Sequence, residues 1–106
     1  MGLLTEMVGG PADIDVHELE FIEPTIAKLI DHKIRVEDVE ATFANAPQFF
    51  ENLPGRSGTH VMLGPDADGR FFYIVLIESS RSRVWRVITG YRYTRRRALR
   101  FYRRPL

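Results

Sequence analysis

Apolar residues along the chain change their spacing from one stretch to the next, and each spacing predicts an element. In residues 17 to 23, HELEFIE, Leu19 and Phe21 alternate with acids, the period of a half-buried strand, and Pro24 ends it. Residues 25 to 34 place Ile26, Leu29 and Ile30, with the stem of Lys33, along one side of a helix. Val36, Val39, Ala41 and Phe43 repeat the pattern over residues 36 to 46, until Pro47 stops it. Two short helices are therefore expected after the first strand. Residues 1 to 17 contain Gly9-Gly10-Pro11 and hold no sustained period, so they read as a loose leader ordered only by contact.

The second half reads as a meander. Residues 48 to 53 form a weak strand ending at Pro54-Gly55, and residues 59 to 63 a better one. Between Pro65 and Gly69 lies a turn: proline presets φ, Asp66 and Asp68 bond to the backbone and glycine permits positive φ. Its likeness to a calcium loop is superficial, because the remaining oxygen ligands and the closing glutamate are missing from the required spacing. Residues 71 to 77, FFYIVLI, are apolar on both faces, as a central strand covered on both sides would be. After a turn at residues 79 to 83, residues 84 to 93 form the last strand.

Strict alternation in that strand puts Val84, Arg86, Ile88 and Arg92 on one face and Trp85, Val87, Thr89, Tyr91 and Tyr93 on the other, with Gly90 a candidate bulge. Thr94 is a plausible N-cap for a closing helix. At ~100° per residue Arg96, Arg97, Arg100, Arg103 and Arg104 gather on one arc, Ala98, Leu99, Phe101 and Tyr102 face the other way, and Arg95 leans toward the apolar side. The expected fold is one α+β domain over residues 18 to 106, its sheet mostly antiparallel, with two N-terminal helices and an arginine-rich C-terminal helix.

Charge sharpens this picture. The 106 residues have a formal net charge of only +1, yet residues 79 to 106 hold ten arginines and no acid, while all fourteen acids precede them. Arginine supplies a planar, permanently charged fork that matches phosphate, and six such groups along one helix repel one another unless an anion answers them. Interleaved with Trp85, Tyr91, Tyr93, Phe101 and Tyr102, the tail reads as a nucleic-acid surface. With no cysteine, disulfides, zinc fingers and thiol nucleophiles are excluded. No apolar run is long enough to span a bilayer and no secretion signal is evident, so a cytoplasmic protein is expected, without cofactor or metal.

The order of elements, with RVWRVITGYRYT running into an arginine-rich helix, resembles the BrnT-type ribonuclease toxins of the RelE superfamily. The residues that carry the likeness are His32 after the first helix, Phe43 before the meander, Gly69-Arg70 opening the central strand, Arg86-Val87-Ile88, and Arg92 with Thr94 at the strand-to-helix junction. They extend over about residues 19 to 103. Asp31 and Lys33 flank the histidine where the family places a basic residue and a glycine, and Arg97 stands where it commonly has an acid.

The resemblance implies a small RelE-like fold, metal-independent cleavage of RNA by attack of a ribose 2′-hydroxyl, and a cognate antitoxin whose acidic surface covers the basic one. Assembly as a homodimer or hetero-oligomer is part of the same expectation. Arginine titrates too high to carry protons, so Arg86 and Arg92 would clamp the phosphate. His32 or His60 would exchange protons, while Arg95, Arg96, Arg97, Arg100, Arg103 and Arg104 would capture RNA. Plainer roles exist for each: His32 complementing a helix end, His60 a surface residue, the tyrosines core. A non-catalytic nucleic-acid-binding module and a subunit that only docks a protein partner remain open beside the toxin.

Overall fold

A computed structural model describes residues 8–103 as an α+β fold built on one five-stranded sheet. The elements in chain order are β1 (Glu18–Glu20), α1 (Glu23–Asp31), α2 (Val36–Phe43), β2 (Gln48–Glu51), β3 (His60–Pro65), β4 (Phe71–Glu78), β5 (Val84–Tyr93) and a single turn of helix, α3 (Arg95–Ala98). Their order across the sheet is β1-β5-β4-β3-β2. β1 runs parallel to β5 and every other pairing is antiparallel.

β4 is central, as its doubly apolar sequence requires. Phe72, Ile74 and Leu76 pack with Leu29, Ile34 and Val39 beneath α1 and α2. On the other face Phe71, Tyr73 and Val75 pack with Val8, Tyr93, Ala98 and Tyr102. Both first helices begin earlier or end sooner than their apolar period suggested. Pro24 sits inside the first turn of α1, directly after Glu23, because a first-turn residue needs no N–H partner. Lys33 at φ 62° then turns the chain and sends Ile34 into the core. The Asp38 carboxylate accepts from the Arg35 backbone N–H (2.8 Å) at the start of α2, and Ala46 at φ 52° follows its end.

Three further expectations are corrected. Val75 pairs with Thr89 but Leu76 pairs with Val87, so Ile88 is the extra residue and the bulge lies there rather than at Gly90. One inserted residue swaps faces: Trp85 and Val87 lie beneath the helices, whereas Thr89, Tyr91 and Tyr93 share the α3 face with Tyr73. The arginine-rich helix is α3 alone, capped by Thr94 Oγ1 accepting from the Arg97 N–H (3.2 Å); past it Tyr102 donates its hydroxyl to Ala46 O (2.9 Å). Arg104 lies outside the described residues. Part of the expected leader is also pinned: Gly9 N–H donates to Glu51 O (2.6 Å), Ala12 N–H to Phe49 O (2.9 Å), and Val8 is buried. Residues 1–7 lie outside the described region.

Candidate nucleic-acid interface

The bulge decides which chemistry meets. Arg86 stands opposite Ile77 and Arg92 opposite Phe72, on different faces of the sheet. Arg86 is also engaged: its Nε donates to Glu20 Oε1 at 2.7 Å, across the parallel β1–β5 pairing. The two histidines lie far apart. His32 stacks on Tyr91 (ring centroids 4.9 Å apart, 27°) and His60 sits edge-on to Trp85 (5.0 Å, 84°). Tyr91 and Trp85 are separated by about 20 Å along the strand at ~3.3 Å per residue. The quartet Arg86, Arg92, His32 and His60 therefore does not form one site.

The backbone at Arg92 passes along a cleft on the α3 face, although the Arg92 side chain leaves the sheet on the other, helix-covered side with Phe72. About 330 Å³ in volume, the cleft is lined by Arg56, Tyr73, Tyr91, Arg92, Tyr93 and Arg97, with no carboxylate among them; Arg56 and Arg97 bring their guanidinium groups to it. A second hollow of about 230 Å³ adjoins it and shares Arg56, Tyr73 and Tyr91. Tyr73 stacks on Tyr93 (4.9 Å, 25°), and the Arg97 guanidinium lies 4.5 Å from the Tyr93 ring centroid. That contact attracts a cation to the ring's negative face. Tyr91 is the exposed ring of the group, 44% accessible.

Burial pushes the Tyr73 phenol up to about 12, reinforced by Tyr93 and Tyr91 and opposed by Arg56. Tyr93 is raised by burial too, against the pull of Arg97 and Arg56. Both stay protonated near neutrality and keep an O–H to donate. Tyr93 Oη and Thr89 Oγ1 are buried without a hydrogen-bond partner among the described residues. His32 Nδ1 lies 2.8 Å from Gly90 O; a carbonyl can only accept, so Nδ1 carries the proton and Nε2 keeps its lone pair when the ring is neutral.

The loop between β2 and β3 brings in Arg56. A Cβ on Gly58, at φ +75°, would lie 2.3 Å from Val75 Cγ1 and 2.9 Å from Leu76 O, so only glycine lets the loop descend onto the sheet. The Asn52 side-chain amide donates to Ser57 O (2.8 Å) and holds the turn. Sequence reasoning missed both Arg56 and Tyr73. Arg56 was one basic residue in an acidic half, marked only by its Pro-Gly-Arg-Ser-Gly surroundings, and Tyr73 was hidden in an apolar run.

The other tail arginines disperse. Arg95 borders a separate cavity of about 410 Å³ with Asn45, Asp66 and Tyr102. Its buried carboxylate is already answered, Asp66 Oδ1 by the N–H groups of Asp68 and Arg70 and Oδ2 by Arg70 Nε (2.8 Å). That cavity therefore belongs to the β3–β4 turn scaffold. Arg96 and Arg100 are exposed, and Arg103 turns back onto Leu99 O and Arg100 O. Among the described residues no cluster of acids and histidines could hold a metal ion, and no helix is long and apolar enough to cross a membrane. Set against family models, curated proteins and solved structures, the chain matches none.

Proposed function

We propose that the protein binds single-stranded RNA in the arginine–tyrosine cleft and cleaves it without a metal, as a ribonuclease toxin of RelE type. The observation that carries the reading is the lining itself. Arg56 and Arg97 offer phosphate forks, Tyr91 offers an exposed ring, and the described lining holds no carboxylate. Base stacking on an aromatic ring is worth ~1–3 kcal/mol per base, and guanidinium forks track the backbone. An α+β sheet with helices on one face and a basic cleft on the other also suits the family likeness.

Cleavage needs a proton acceptor, a proton donor and charge stabilisation. His32 Nε2, on the ring stacked against Tyr91, takes the 2′-hydroxyl proton; a cleft phenol protonates the leaving 5′-oxygen; Arg56 and Arg97 balance the phosphorane. An acidic antitoxin would cover the same cleft. The test is single-turnover cleavage of a labelled RNA in chelator, beside binding to its 2′-O-methyl analogue. His32→Gln should slow cleavage by ~10²–10⁴-fold with binding retained. Binding without cleavage by the unmodified protein would leave only a nucleic-acid-binding module, and absence of binding would end the proposal.

A further inference from the structure

The two hollows on the α3 face divide their chemistry along the line of Arg56, Tyr73 and Tyr91, which border both. On one side stand Tyr93 and Arg97, on the other Asn52, Ser57 and Thr89. The first half is cationic. The second carries no charge beyond the shared Arg56. Each half also holds one buried hydroxyl without a partner, Tyr93 Oη in the cationic half and Thr89 Oγ1 in the neutral one.

We infer that this is a two-chambered dinucleotide site in which Arg56 grips the phosphate between two nucleotides, Tyr91 stacks a base, and Thr89 reads the base held in the neutral chamber. The inference rests on the RNA-binding reading and adds sequence selectivity to it. A neutral chamber disfavours a phosphate, and at about 230 Å³ it suits a base rather than a second charged nucleotide. Thr89 Oγ1 both donates and accepts, so a base edge can satisfy the hydroxyl that the fold leaves unanswered. Asn52 is largely spent within its loop, giving its amide protons to Ser57 O and Gly58 O and accepting from the Leu53 N–H (2.8 Å), so Thr89 Oγ1 is the buried polar group of this chamber left unpartnered. Tyr91 is backed by the His32 ring, so its open face is held in place as a platform.

Sequence readers differ from backbone binders in what a neutral substitution does. The experiment measures affinities of the full chain for four 2′-O-methyl homopentamers of A, C, G and U, which bind but cannot react. Thr89→Val keeps the shape of the side chain and removes only an unpartnered hydroxyl, so it folds. It should narrow the spread among the four oligomers about tenfold while leaving the salt slope intact, whereas Arg56→Gln should weaken all four alike and lower the slope. A spread unchanged in Thr89→Val, or no spread in the unmodified protein, would overturn base reading while RNA binding stands. Failure to bind any oligomer would instead sink the RNA reading itself.

Discussion

Replacing Gly58 by alanine tests whether the loop that delivers Arg56 is truly seated on the sheet. Two costs arise. A non-glycine residue in the left-handed region costs roughly 1–2 kcal/mol. The added Cβ would also meet Val75 Cγ1 at 2.3 Å and the Leu76 carbonyl at 2.9 Å, and the second is backbone in the central strand that cannot step aside. Such overpacking costs about 1–3 kcal/mol. The sum is ~2–5 kcal/mol, or a fall in Tm of roughly 8–20 °C at ~4 °C per kcal/mol for a domain of this size. Gly55→Ala is the internal control, since Gly55 has φ +79° but open space around it, and only the conformational cost of ~1–2 kcal/mol applies. Thermal unfolding of both variants by circular dichroism separates the terms. Equal losses in the two variants would show that the loop does not rest on β4, and the positioning of Arg56 over the cleft would lose its basis. Gly58→Ala should also weaken RNA binding well beyond Gly55→Ala.

Thr89→Val should raise stability by about 1 kcal/mol in urea unfolding, because a buried unsatisfied hydroxyl is a cost to the fold; destabilisation would mean that Thr89 Oγ1 has a partner. Burial works to raise Asp38 and Asp66, but bonds from Arg35 and Arg70 outweigh it and hold both carboxyls below 3.8. Their contribution is thus complete above the unfolded carboxylate value and lost as pH falls through the lowered one, so the urea midpoint should drop below about pH 4, with a shallower fall in Asp66→Asn. In a spectrophotometric titration Tyr73 should ionise near 12, and Tyr73→Phe should delete that late step. A phenol raised in the folded state contributes its stability below pH ~10 and loses it above, so alkaline unfolding should also move upward in that variant. Arg86→Gln, which removes the nearer of the two arginines on Glu20, should leave the salt slope of RNA binding unchanged, whereas Arg56→Gln should lower it by ~0.7.

What could be read in the chain followed from periods and turn chemistry. β4 was legible as the centre because seven consecutive apolar residues need cover on both faces, and the Pro65–Gly69 turn because its residues fit one geometry. Faces were not legible beyond Ile88: a one-residue bulge carries no compositional mark, yet it separates Arg86 from Arg92 and gathers Thr89, Tyr91 and Tyr93 beside Tyr73. The closing helix was overextended because helical geometry alone ignores Tyr102, whose anchorage to Ala46 ends the regular turn. Arg56 reached the site through a tertiary contact of Gly58, which no local pattern announces.

The parallel pairing of β1 with β5 has a kinetic consequence. Its register joins residues as far apart as Glu20 and Arg86, separated by 66 positions, whereas β3, β4 and β5 pair with sequence neighbours. Closing so long a loop repays its entropy only after the meander exists as a template. β1 is accordingly expected to be the last strand to arrive and the first to leave, with early loss of amide-exchange protection at residues 18–20 as its signature. A transient opening there exposes Arg86 and the edge of β5 at Val84 while the far end of the same strand, with Tyr91 and Tyr93, stays held by β4. The cleft is thereby insulated from the least persistent part of the sheet.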